Sequence, residues 1–269
     1  MWIMSTDFLY KKEENIYKGL VSFIKECAGD KSIVMGLSGG IDSSISVYLA
    51  VQALGKEKVA VVILENSQFT KEGIVLAKNF AHHLGVNIKS VTIENVRDLI
   101  VKGLKYELNY KQKATIDVRI CDLIIRTVAQ KEDALYMGTI NGTERMVGWF
   151  PKGALVGDFC PIGGLLKHQL KELAAYLKIG SFAEGISQDA SIVCGGCGEH
   201  EDFKGLPYEE LDSILLAYQM GTLENNFPKY YTYQHFIPII IDRISAVEHK
   251  KEAFPKYFNV ISILSARLA

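Results

Sequence analysis

Apolar side chains recur at helical spacing from Phe8 to Cys27 (Leu9, Ile16, Leu20, Phe23, Ile24), and the run ends at Ala28-Gly29-Asp30. Beyond it, short apolar runs alternate with amphipathic stretches. The runs Ile33 to Leu37, Val59 to Leu64, Val86 to Ile93 and Ala134 to Met137 read as strands. Ser43 to Leu54, Thr70 to Leu84 and Ile116 to Gln130 read as helices between them. The second of these has Ile74, Ala77, Phe80, Ala81 and Leu84 on one face and stops at Gly85. Strands separated by helices of this length imply right-handed βαβ units, hence an α/β fold with a doubly wound parallel sheet and flanking helices. After Gly138 the pattern loosens. Gly142 to Gly164 and Gly185 to Gly205 show little periodicity, and a long irregular stretch inside a compact domain is usually functional or mobile. Helices are expected at Lys167 to Leu177, Tyr208 to Tyr218 and Ile239 to Lys250, while the segment past Phe254 receives no assignment. The whole chain, residues 1–269, reads as one α/β domain with C-terminal helices.

The first strand runs into Ser38-Gly39-Gly40-Ile41-Asp42-Ser43-Ser44, and a helix follows. Strand, glycine turn and helix start come in the order an anion site needs. Glycines let the backbone turn tightly and approach a ligand. The first amides of the helix lack intrahelical partners, and its dipole favours negative charge there. Ser38, Ser43 and Ser44 can add hydroxyl donors, and Asp42 can hold Mg2+ against phosphate oxygens. The common phosphate loop, Gly-x4-Gly-Lys-Ser/Thr, is not present, because no Lys follows the glycines. In parallel sheets ligands bind beyond the carboxyl ends of the strands. The serine–glycine loop, Asn66-Ser67 and Thr139 all follow strand ends and are expected to converge on one cleft.

Composition narrows the function class. Net charge is −1 and no Lys/Arg-rich run occurs, so nothing points to a nucleic-acid partner. No apolar run reaches the roughly 18 residues of a membrane span, and the start of the chain lacks the pattern of a signal peptide. A cytoplasmic protein is the expectation. Five scattered cysteines (Cys27, Cys121, Cys160, Cys194, Cys197) do not suggest a disulfide framework.

The loop resembles the pyrophosphate loop, Ser-Gly-Gly-x-Asp-Ser, of the ATP pyrophosphatases, enzymes that cut ATP between the α and β phosphates to make an adenylate. Further strings extend the likeness from about Lys31 to Lys250. They are Gly36 to Ser43, Arg119, Gly138-Thr139 with Glu144, Lys152, Asp158-Phe-Cys-Pro161, Lys167, Pro207 to Asp212 and Glu248-His249-Lys250. Together they resemble the ammonia-dependent NAD synthetases, homodimers of the ATP pyrophosphatase group with an adenine nucleotide alpha hydrolase-like fold. The resemblance implies conversion of deamido-NAD, ATP and ammonia to NAD, AMP and pyrophosphate. It implies that Gly36, Leu37, Ser38, Gly39, Gly40, Ile41, Asp42 and Ser43 hold ATP phosphates, and that Thr139, Lys167 and Ser191 contact ATP. It further implies that Asp42 and Glu144 ligate Mg2+, with Asp42, Glu144 and Lys167 serving catalysis. Arg119, Lys152, Asp158, His249 and Lys250 match positions that contact deamido-NAD, the last two across a dimer interface.

Two stretches depart from the family. Where it commonly has Phe-Thr-Lys-Tyr-Gly-Asp-Gly-Gly, this chain has Phe150-Pro-Lys-Gly-Ala-Leu-Val-Gly157, in a loop that contributes to the dinucleotide pocket. Ile192-Val-Cys-Gly-Gly-Cys-Gly-Glu-His200 stands where the family has a Pro-rich acidic lid. Its cysteine pair fits a lid with reduced thiols, a metal site with His200 and Cys160 or His168, or a redox or sulfur-carrying role. Two alternatives stand beside the ligase, the first of them motivated by these departures. One is a related enzyme that adenylates another carboxylate or a nucleobase oxygen and delivers nitrogen or sulfur. The other is a nucleotide-binding regulator without turnover.

Overall fold

The structure, a computed structural model, describes residues 6–65, 71–93, 95–179, 203, 205–223, 227, 231–252 and 254–261. Among these, β1 (Ile33–Gly36), β2 (Val59–Glu65), β3 (Asn87–Thr92) and β4 (Leu135–Tyr136) form one parallel sheet in the order β3-β2-β1-β4. Helices α1 (Thr6–Ala28), α2 (Ile41–Leu54), α3 (Lys71–Leu84), α4 (Val96–Leu104) and α5 (Tyr110–Lys131) precede β4. Helices α6 (Gly142–Val147), α7 (Lys167–Tyr176), α8 (Tyr208–Gln219), α9 (Phe236–Ala246) and α10 (Glu248–Lys251) follow it.

Alternation along the strands sorts their side chains to two faces. Ile33, Met35, Val59, Val61 and Ile63 pack with buried residues of α1, α2, α3 and α7. Val34, Val62 and Tyr136 face the other way, against Ile125 and Ala129 of α5. Helices therefore cover both faces, as the alternating pattern predicts. Met35, Ile45 and Phe80 are almost fully buried, and each such side chain contributes about 1.5–3 kcal/mol of transfer free energy. A second cluster (Met146, Val147, Leu166, Leu211, Ile214, Ile240) joins α6 and the start of α7 to α8 and α9.

Strand β1 has β2 on one side and β4 on the other, so the chain leaves β1 in one direction and later returns on its opposite side. The loops after β1 and β4 part there, and such a switch point is where open parallel sheets bind ligands.

Some elements differ from the sequence expectation. Helix α5 starts at Tyr110 rather than Ile116, because Asn109 and Gln112 form a capping box ahead of the apolar periodicity. Helix α4 has no counterpart among the expected elements, and none of its residues is buried. The stretch Gly142 to Gly164, expected to be irregular, holds α6 and a 3-10 turn at Pro161–Gly164. The helix expected from Ile239 to Lys250 is interrupted at Val247, between α9 and α10. The segment past Phe254 runs beside this 3-10 turn: the Cys160 amide donates to the Lys256 carbonyl (2.9 Å) and the Phe258 amide to the Pro161 carbonyl (3.2 Å).

Candidate active site

The loop after β1 is braced by its own serines. Ser43 Oγ donates to the Gly40 carbonyl (3.1 Å) and accepts from the Ser38 amide (3.2 Å). That leaves Ser38 Oγ to donate to Ser43 Oγ (3.0 Å) and accept from the Gly40 amide (3.2 Å). The two hydroxyls thus brace the loop, and Ser44 is buried, at 1% exposure. Gly39 has φ +84°, a conformation that L side chains rarely adopt. Ile41, Asp42 and Ser43 occupy the first turn of α2, where a helix leaves its amides without intrahelical partners.

The loop after β4 meets this one. Gly138 can pass there because it has no Cβ; one would lie 2.2 Å from the Val156 carbonyl oxygen. Asn141 then caps α6: its side chain accepts from the Glu144 amide (2.9 Å), and Glu144 Oε2 accepts from the Asn141 amide (2.9 Å). The remaining Asn141 donor, Nδ2, reaches Asp42 Oδ2 (3.2 Å) across the switch point. Lys167 Nζ, from the first residue of α7, donates to the same oxygen (2.7 Å). The side chains of this ion pair are 17% and 16% exposed, so water screens it only in part. Asp42 Oδ1 is buried without a hydrogen-bond partner among the described residues.

The structure therefore brings Asp42, Lys167 and, through Asn141, Glu144 together at the end of the phosphate-type loop. Gly36 to Ser43 supply that loop and the start of α2, and Thr139 lies half-buried in the loop after β4. The expected substrate residues have contacts of their own. Asp158 Oδ2 accepts from the Tyr136 amide (2.9 Å), and its other oxygen lies 3.8 Å from Arg126. Lys250 Nζ donates to the carbonyls of Gly148 (2.6 Å) and Phe150 (2.9 Å). Lys152 is 3.9 Å from Glu252, and Arg119 and His249 are exposed. Asn66, Ser67, Ser191, Cys194, Cys197 and His200 lie outside the described residues.

The divergent loop at 150–157 is anchored by contacts that the sequence reading missed. Asp122 Oδ1 accepts from the Leu155 amide (2.7 Å), and its other oxygen accepts from Arg126 Nε (2.8 Å). Cys160 and His168, named as metal partners for the cysteine pair, have other engagements. Cys160 Sγ donates to the Ile140 carbonyl (3.1 Å), and burial pushes its thiol pKa far up. His168 Nδ1 lies 3.1 Å from Asp212 Oδ2. Asn141 and Thr143 were also missed, although Asn141-Gly-Thr-Glu144 spells a capping box.

Comparison with known proteins places this geometry in a family. The NAD synthase family model matches residues 13–254. The NH(3)-dependent NAD(+) synthetase of Hyperthermus butylicus is 33% identical over 223 residues, covering 81% of this chain and 80% of the relative. That of Methanocaldococcus jannaschii is 32% identical over 255 residues, covering 90% and 96%. Two solved structures share the fold at 21% identity. NMN synthetase from Francisella tularensis has a TM-score of 0.74 and covers 89% of this chain and 95% of that one. NH3-dependent NAD synthetase from Campylobacter jejuni has a TM-score of 0.72 and covers 88% and 95%. With its switch-point cluster, a family match over most of its length and curated relatives above 30% identity, the chain belongs to the NAD synthase family.

Proposed function

We propose that the protein is an ATP-dependent amide-forming ligase that converts deamido-NAD and ammonia to NAD, releasing AMP and pyrophosphate through a substrate adenylate. The observation that carries this reading is the meeting of Asp42, Lys167 and the Asn141–Glu144 cap on one phosphate-type loop, in a chain of this family. Adenylation of another carboxylate or a nucleobase is not favoured, since the curated relatives that match most of this chain are NH(3)-dependent NAD(+) synthetases.

A carboxylate resists nucleophiles, and adenylation gives it a leaving group. In the first step a nicotinate carboxylate oxygen attacks the α-phosphorus of ATP, and pyrophosphate leaves. In the second, ammonia attacks the acyl carbon, AMP leaves and a proton is released. The loop from Gly36 to Ser43 and the first amides of α2 hold the phosphates, and Lys167 supplies positive charge where the leaving pyrophosphate carries negative charge. Thr139 and Ser191 complete the ATP contacts. Arg119, Lys152, Asp158, His249 and Lys250 take the dinucleotide in this reading.

The residues present fit Mg2+. Asp42 offers a buried, unpartnered carboxylate oxygen, Glu144 a second hard oxygen donor, and Mg2+ is characteristically held by one or two carboxylates plus substrate phosphates. When bound it neutralises phosphate charge. Among the described residues no larger His, Cys, Asp or Glu cluster suits a metal, and no helix is long and apolar enough to cross a membrane.

Purified protein given ATP, Mg2+, ammonium and deamido-NAD should yield NAD, AMP and pyrophosphate in equal amounts by mass spectrometry. AMP and pyrophosphate without NAD, or no turnover at all, would overturn the assignment.

A further inference from the structure

A carboxylate away from the phosphate loop organises the residue that serves it. Asp212, on α8, is 0% exposed. Its Oδ1 accepts from Thr143 Oγ1 (2.6 Å), and its Oδ2 accepts from the His168 amide (2.7 Å) and lies 3.1 Å from His168 Nδ1. Thr143 Oγ1 in turn accepts from the Lys167 amide (2.9 Å). A single buried carboxylate therefore ties the first turn of α6, which carries Glu144, to the first two residues of α7, which begins with Lys167.

Three successive amides at the start of α7 are engaged within the protein: Leu166 on Gln169 Oε1 (2.8 Å), Lys167 on Thr143 and His168 on Asp212. The Lys167 amide is thus taken, so Lys167 serves the site through its side chain, and the placing of its Cα decides where Nζ falls. A buried carboxylate is costly unless hydrogen-bonded, and here donors from two elements, the Thr143 hydroxyl and the His168 amide, converge on it with the His168 ring beside them. Such a network rigidifies what it joins.

We propose that Asp212 is a positioning residue for the reaction: through Thr143 and the His168 amide it sets α6 and α7 against each other, and so places Lys167 Nζ on Asp42 and the phosphate loop. The proposal rests on the amide-forming reading above.

The test is a double-mutant cycle. Wild-type NAD formation is measured first, and its absence would count against the reaction itself rather than against Asp212. In active enzyme, Asp212→Asn should lower kcat by about ten- to a hundredfold, the scale of a small misplacement at a reacting site, and change the KM for deamido-NAD less than about twofold. In a Lys167→Ala background the same substitution should add less than about a twofold loss. Thr143→Val breaks the link to Lys167 and removes one donor from the carboxylate, while leaving the carboxylate itself and its contact with the His168 amide in place. It should reproduce both results, and it carries the test if Asp212→Asn does not fold. The rise in melting temperature caused by ATP and Mg2+ should shrink in both variants, a readout that needs no acceptor. Equal losses with and without Lys167, or a lower melting temperature with kcat unchanged, would overturn the proposal.

Discussion

Asp42 carries more of the site's logic than any other residue, because three demands meet on one side chain. Oδ2 is held by Lys167 and Asn141, while Oδ1 is buried and unpartnered among the described residues. A buried acceptor left unsatisfied costs about 1–3 kcal/mol, which is tolerated where a ligand will satisfy it. Asp42→Asn keeps the shape and removes the charge. We expect kcat/KM to fall about a hundredfold or more, with the Mg2+ dependence displaced to higher concentrations, while the melting temperature stays near that of the wild type. A variant with ordinary Mg2+ dependence would show that Asp42 is only a structural partner for Lys167. Cys160 gives a pH prediction. Burial raises its thiol pKa, so the native state keeps a proton that the unfolded chain loses above about pH 8.5. The unfolded state then binds fewer protons, and stability should fall as pH rises, by up to about 1.4 kcal/mol per pH unit for this group. Urea unfolding between about pH 8 and 10 should show a slope of that sign, and Cys160→Ala should reduce it by this group's share, the Cys121 thiol, also pushed up by burial to about 12, keeping its own. The same thiol should resist alkylation at about pH 8 until urea is added. Rapid labelling of native Cys160 would contradict its burial.

At the scale of elements, what the sequence disclosed depended on which signal an element carries. Strands β1 and β2 were legible as short apolar runs, α2 as an apolar stretch following the glycine loop, and α3 by its one-sided apolar periodicity. Helix α4 was missed although Val96, Leu99, Ile100 and Leu104 recur at helical spacing; none of these residues is buried. The start of α5 was hidden for another reason: Tyr110-Lys-Gln-Lys is polar, and what makes it helical is the reciprocal Asn109–Gln112 cap (2.9 Å in each direction). Asn109→Ala should therefore cost about 1 kcal/mol in urea unfolding while leaving kcat unchanged, and a cost near zero would mean that the first turn of α5 is held by other contacts. The candidate site divides in the same way. Asp42, Glu144 and Lys167 were readable from motif strings, whereas Asn141, Thr143 and Asp212, which hold them in place, act through contacts between segments distant in sequence. Capping patterns offered a partial clue to Asn141; nothing local in the sequence announces that Asp212 will meet Thr143 and His168.

For the whole molecule, the outer face of α4 and α5 bears on assembly. Leu99 (70% exposed), Leu123 (65%), Ile100 (40%) and Leu104 (38%) leave apolar surface to solvent on two helices that pack together. Large apolar side chains left exposed on neighbouring helices suit an interaction site, and symmetric pairing of identical chains is the commonest way to cover one. We propose that this face is the homodimer interface. Arg119 is exposed on the same helix as Leu123, so a second copy covering this face would lie close to it, which suits a substrate contact completed by the partner. The variant Leu99→Glu/Leu123→Glu should run at the monomer mass in light scattering, where the wild type runs at twice that mass. Because Asp42, Lys167 and Glu144 reside together within one chain, the monomer should still gain melting temperature with ATP and Mg2+. Its KM for deamido-NAD should rise much more than its KM for ATP. A variant that remains dimeric would place the interface elsewhere. A monomer with an unchanged deamido-NAD KM would show that the dinucleotide is bound without help from the partner.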